Sequence, residues 1–169
     1  MALTANSVPS VPGGSAYPYD ASLALCASAT LTATGYLGSP TQLDLGLGRQ
    51  GGVMVNDLSG LYTTTGDEYY RIFLLGSNDN AFGNGNVELL GMAEYRTASS
   101  NGVIATILGA SPTVPAAGRV GGFLEIPFST QRFGINYRYI RGYLVTGGTT
   151  PSITLTSWLT LDYKGGGWV

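Results

Sequence analysis

The stretch "FGINYRYIRGYLV", residues 133–145, decides how the chain is read. Its odd positions hold Phe133, Ile135, Tyr137, Tyr139, Arg141, Tyr143 and Val145, and its even positions Gly134, Asn136, Arg138, Ile140, Gly142 and Leu144. Alternation over that length predicts one β-strand, 132–146, with a single buried face. The tyrosines then face a ligand, a partner chain or the protein's own core. In a two-sheet fold, Phe133, Ile135, Tyr137, Tyr139 and Val145 are expected to fill the space between the sheets, with hydroxyls reaching the rim. Arg141 on that side needs a carboxylate, several carbonyls, or a route to water along its stem.

Outward from this stretch the pattern repeats. Short runs at 22–33, 41–47, 52–58, 68–76, 86–96, 102–108, 119–128 and 151–163 are rich in β-branched and aromatic residues and separated by Gly, Asn, Ser and Thr. None sustains a helical i, i+3, i+4, i+7 pattern, so the chain reads as an all-β, jelly-roll-like antiparallel β-sandwich. In 151–163, Ile153, Leu155, Leu159 and Leu161 alternate with Thr154, Thr156 and Thr160. The short "TGGTTP" before it predicts an antiparallel hairpin with 132–146. Residues 1–19, with Pro9, Pro12, Pro18 and Gly13–Gly14, read as an extended N-terminal arm, 20–163 as the sandwich domain, and 164–169 as a short C-terminal tail. Composition does not choose between an arm that is disordered and one that lies on a neighbour.

Charge is the informative bulk property. Charged residues make up 11% of 169, against roughly 25% in an ordinary soluble domain. A free monomer keeps itself soluble with a charged surface, so part of this surface is expected to lie under other chains. Sandwich edges, too, need covering or blunting. A net charge of −2 and seven singly placed arginines argue against nucleic acid, and no apolar run approaches the roughly 18–20 residues of a membrane span. The start "MALTANSVPSVPGG" lacks the charged and apolar regions of a signal peptide, so synthesis in a cytoplasm is expected. The lone Cys26, in "SLALCASATLT", reads as a small core residue.

Chemistry is sparse. Without histidine the chain lacks the commonest general base and metal ligand. Glu88 and Glu94 fall on the same even face of 86–96 but about 20 Å apart along a strand, too far for a glycosidase pair at roughly 5–10 Å. No catalytic residue and no cofactor is expected. The oxygen donors of "GSNDNAFGNGN" (Asn78, Asp79, Asn80, Asn84, Asn86) include one charge and miss the EF-hand spacing. They read as a turn built from residues that tolerate left-handed backbone, with no metal.

Contact residues are a different matter. Trp158 falls opposite the leucines of its strand, either as a sugar-stacking ring or packed beneath an arm or neighbour; a covered ring suits the charge-poor surface better. In "KGGGWV", three glycines tether Trp168 and Val169, which form either an interface plug or a frayed end. Arg132 and Arg138 share the face of their strand opposite the aromatics. With Tyr17 and Tyr19 of the arm, these are the candidate interface residues.

Taken in order, "QLDLG" (42–46), "FLLGSNDNAFG" (73–83), "FLEIPF" (123–128), "NYRYIRGYLV" (136–145) and "SITLTSWLTLD" (152–162) resemble the capsid cement, or decoration, proteins of tailed phages of the Bordetella-phage type. The resemblance spans about residues 20–163; the arm and the "KGGGWV" tail match nothing in it. It implies a jelly-roll fold, no catalytic residues, and a structural role on the outer surface of a phage head. There the protein would be a homo-oligomer, dimer or trimer, bridging major capsid protein subunits and stabilising the shell. The other functions open to such a chain are a carbohydrate- or receptor-binding module and a minor tail component of a virion.

Overall fold

Apolar runs with period two and no helical stripe leave the backbone to satisfy its hydrogen bonds in sheets. The computed structural model describes residues 21–38, 42–62, 65–83, 86–98, 102–107, 113–114 and 123–161. After one 3-10 turn (Ala21–Leu23) come β1 (Ala24–Leu31), β2 (Gly35–Tyr36), β3 (Leu43–Asp44), β4 (Gly51–Leu61), β5 (Tyr69–Ser77) and β6 (Val87–Ala98). They are followed by β7 (Gly102–Ile107), β8 (Thr113–Val114), β9 (Phe123–Ser129), β10 (Gln131–Arg132), β11 (Ile135–Asn136), β12 (Tyr139–Gly147) and β13 (Ile153–Thr160). The expected arm, with Tyr17 and Tyr19, and the expected tail, with Trp168 and Val169, lie outside the described residues.

One sheet has the order β1-β13-β4-β9 and the other β2-β12-β5-β6-β7-β8, with β3 also on β12. The antiparallel pairs β1–β13, β3–β12, β4–β9 and β5–β6 nest inside one another. This is one long hairpin rolled into two facing sheets, a jelly-roll-like sandwich. Pro127 lies exposed in the outer strand β9, where a proline is tolerated.

The expected hairpin of 132–146 with 151–163 does not form. β12 pairs with β5 over nine residues on one edge and with β2 and β3 on the other. Both edges are therefore occupied, and β13 cannot form a hairpin with it. Instead the chain crosses to the opposite sheet. Gly148 takes φ 104°, with the Asp67 and Glu68 backbone so close that a Cβ would lie 2.7 Å from Glu68 Cα. The Tyr70 hydroxyl fixes the crossing by donating to the Tyr62 carbonyl at 2.7 Å and accepting from the Ser152 N–H at 2.9 Å.

The buried face of β12 is also the other one. Ile140 and Leu144 are fully buried, while Tyr139, Arg141, Tyr143 and Val145 are only half-buried, on the outer side of the sheet. Between the two aliphatic residues, Gly142 lets Leu37 approach: a Cβ there would stand 2.7 Å from Leu37 Cδ1. Phe133 and Ile135, expected in the core, are 84% and 50% exposed. They belong to a separate hairpin, because the chain reverses at Phe133 and Gly134 (φ 50° and 80°) instead of running straight from 132.

The main core runs between the sheets and includes Leu25, Met54, Ile72, Leu74, Ile126 and Leu155. Cys26 sits in it at 2% exposure, as its apolar setting predicts, and burial raises its thiol pKa. A polar pair lies in the same interior. Ser157 Oγ donates to Asn56 Oδ1 at 2.9 Å, both side chains are fully buried, and Asn56 Nδ2 points to the Leu124 carbonyl at 3.4 Å. Ser157→Ala strands the Asn56 oxygen and should cost about 1–3 kcal/mol in chemical denaturation. A second change, Asn56→Leu, in that background should recover part of the loss.

Candidate interaction site at the β10–β11 tip

The outer face of the β12 sheet answers part of the question its tyrosines raise. Arg141 lies over Tyr36, its guanidinium carbon 3.6 Å from the ring centroid and 6.0 Å from that of Phe82. Tyr143 meets Tyr36 edge-to-face at 5.0 Å. A guanidinium is held over aromatic faces by their quadrupole, so these rings serve Arg141 rather than the core. Its buried Nε–H donates to no carboxylate or carbonyl among the described residues.

Phe82 reaches this stack because of the turn before it. Asp79 Oδ1 accepts the Ala81 N–H at 2.9 Å and Oδ2 accepts the Gly83 N–H at 3.0 Å. The Asp79 carboxylate is thus spent on the turn, as the turn reading of "GSNDNAFGNGN" expects. The left-handed position, however, is taken by Phe82 (φ 52°), whose ring is 6% exposed. Packing of that ring offsets a backbone conformation that costs a non-glycine residue about 1–2 kcal/mol. Asn78 also works within the fold: Nδ2 donates to the Asn136 carbonyl at 2.9 Å and Oδ1 accepts the Arg138 N–H at 3.0 Å. This ties the β10–β11 hairpin to the 77–83 turn.

Among the described residues, the second left-handed phenylalanine has no such packing. Phe133 (φ 50°) precedes Gly134 (φ 80°) at the tip of a two-residue hairpin, with Arg132 paired to Ile135 below it. Such a tip normally carries Asn-Gly or Asp-Gly. Here it carries a large apolar ring at 84% exposure, with the Arg132 guanidinium 5.5 Å from its centroid as its one ring contact among the described residues. Ile135 (50%) and Val87 (39%) add exposed apolar surface beside it. Between hairpin and sheet lies an open groove of about 230 Å³ lined by Asn78, Asn86, Val87, Glu88, Ile135 and Tyr137.

Of the residues singled out from sequence, Arg132 is the one at this site. Its Nε lies 3.4 Å from Glu88 Oε1 and its Nη1 donates to the Leu89 carbonyl. Arg138 does not share a strand face with it, since the hairpin intervenes. Instead its fork binds Asp44, Nε to Oδ1 at 2.8 Å and Nη2 to Oδ2 at 2.7 Å, fastening β3 to β12. Trp158 is on the other sheet, opposite the leucines as its parity predicts. It is 4% exposed and clustered with Val53 and Val55, so no sugar ring can stack on it. Glu88 and Glu94 do not share a face. The β5 partners skip Leu90, and this bulge leaves Glu94 opposite Arg71, at 2.7 Å, and Glu88 opposite Gly76. Phe133, missed from sequence as a site residue, had one signal: the Phe-Gly pair inside an otherwise regular alternation.

Among the described residues, no group of three or more His, Cys, Asp or Glu side chains could hold a metal ion, and no helix is long and apolar enough to cross a membrane. No family model matches the chain, and neither a curated protein nor a solved structure matches it.

The Arg138 fork, then the Gly46 N–H, holds the Asp44 carboxyl down at about 2, below its ordinary 3.8. Because the folded-state value is the depressed one, this contribution to stability is present above about pH 4. It is lost as pH falls through about 2. The pair is exposed, so the effect is small. Carboxyl titration by NMR should return Asp44 to near its ordinary value in Arg138→Ala, and the variant should lose less stability than the parent between pH 4 and 2.

Proposed function

We propose that this chain is a non-enzymatic structural protein that docks on the outer surface of an assembled phage capsid. There it bridges major capsid protein subunits, and the β10–β11 tip is its anchor. The observation that carries this reading is Phe133: a large apolar ring, 84% exposed on a left-handed backbone, against which the described residues place only the Arg132 guanidinium. Strain and exposure together at one residue mark a contact made with something else, and aromatic residues entering a pocket are the usual centres of protein interfaces.

Three further features support the reading. The sequence resembles the decoration proteins of tailed phages over its sandwich region. Charged residues are few, as suits a surface partly covered in an assembly. The tip is tied by Asn78 to a rigid sandwich, so little ordering entropy opposes docking. Burying one phenylalanine is worth about 1.5–3 kcal/mol, a weak contact alone. Homo-oligomeric copies repeated over a shell act multivalently, so weak single contacts suffice to resist separation of capsomers. The protein then belongs to the virion exterior.

Phe133→Asn separates this role from folding. Asparagine tolerates the left-handed tip, so denaturation stability should hold or rise by up to about 1 kcal/mol. Sedimentation with expanded empty capsids should show stoichiometric binding by the parent chain and at least roughly tenfold weaker binding by the variant. Equal binding by the two proteins overturns the anchor, and no binding by either overturns the capsid reading.

A further inference from the structure

The groove beside the tip is not explained by an apolar anchor. Of its described lining, Asn78, Asn86 and Glu88 are polar, while Val87, Ile135 and Tyr137 are apolar or aromatic. We propose that it is a binding site for one neutral sugar ring, a hexopyranose.

The lining selects the ligand by chemistry. Among the described residues the lining holds one carboxylate, already paired by Arg132, and no cation of its own, so an anion is not favoured; a single carboxylate is too little for a metal ion. A purely apolar ligand would cover the Asn86 amide and the second N–H of Asn78 without pairing them, at a cost. A sugar ring combines what the groove offers: rows of hydroxyls that both donate and accept, and a C–H face for Tyr137 and Ile135. At about 230 Å³ the groove exceeds the roughly 150 Å³ that holds a benzene ring, leaving room for a six-membered ring with its substituents.

The polar groups are also held in place, which is what separates a site from a dent. Asn78 is fixed at both ends of its amide by Asn136 and Arg138, leaving its second N–H and second lone pair for a ligand. Arg132, anchored on the Leu89 carbonyl, stands 3.4 Å from Glu88 Oε1. The Tyr137 backbone donates to the Thr130 carbonyl at 2.8 Å, and its side chain sits close over Gly76, where a Cβ would lie 2.9 Å from Tyr137 Cβ. Such preorganisation lowers the cost of binding a small ligand. Asn86, exposed at the groove's edge, supplies an amide that the fold's own hydrogen bonds leave unused among the described residues.

The test is an amide-detected NMR titration of the purified chain with glucose, galactose, mannose and N-acetylglucosamine in turn, with glycerol as control. The expected result is a saturable shift of the Val87, Glu88, Ile135 and Tyr137 amides with at least one sugar, at millimolar affinity. Asn86→Ala and Glu88→Gln, each with unchanged spectra for β5 and β12, should weaken it at least roughly tenfold. Absence of a saturable shift with all four sugars overturns the proposal. So does an undiminished response in Asn86→Ala, or an equal response to glycerol, which marks contact with any polyol.

Discussion

The packing of β12 on Leu37 sets the rest of the structure. Successive residues of a strand face opposite ways, so once Ile140 and Leu144 are inside, every other side chain of the strand is placed. Gly142 makes that choice possible, since a side chain there would meet Leu37 at 2.7 Å. With that face inward, Tyr139, Arg141 and Tyr143 must point out, and the arginine finds aromatic faces instead of a carboxylate. β12 then lies next to the short edge strands β2 and β3 with both of its own edges paired, which forces the last strand across to the other sheet and closes the jelly-roll-like sandwich.

Fold class was legible in the sequence because it depends only on period and length: alternation in many short runs, and no helical stripe. Which face of 133–145 is buried was not legible. Periodicity reports that the two faces differ, not which is inside. Gly142 and Arg138 made the true inner side look less hydrophobic than a row of tyrosines. The false hairpin arose because "TGGTTP" resembles a tight turn locally, whereas strand pairing is decided by edges already taken elsewhere. Trp158 was placed on the correct side of its strand, but the cluster it forms with Val53 and Val55 joins segments a hundred residues apart. The buried Asn56–Ser157 pair left no pattern at all, because each looks like an ordinary polar position.

The interaction site was half legible for a related reason. Arg132 was found, but Phe133 was read as core. A turn with phenylalanine in the left-handed position breaks the usual residue code, and regular alternation on both sides masked it. The two phenylalanines with positive φ make the physical distinction plain. Phe82 is strained and buried, so its own chain supplies the compensation. Phe133 is strained and bare. In the proposed role, the outer surface of an assembled capsid supplies what the described residues do not, while the groove beside the tip, which shares Ile135 and Val87 with it, offers a different kind of ligand a place.

Hydrogen exchange of the purified chain, free and bound to expanded capsids, tests the central claim most directly. The account predicts that amides 131–137 become protected on binding while those in the middle of β5 and β12 keep the rates they have in the free protein. Capsid binding with unchanged exchange at 131–137 would contradict it and place the contact elsewhere on the molecule.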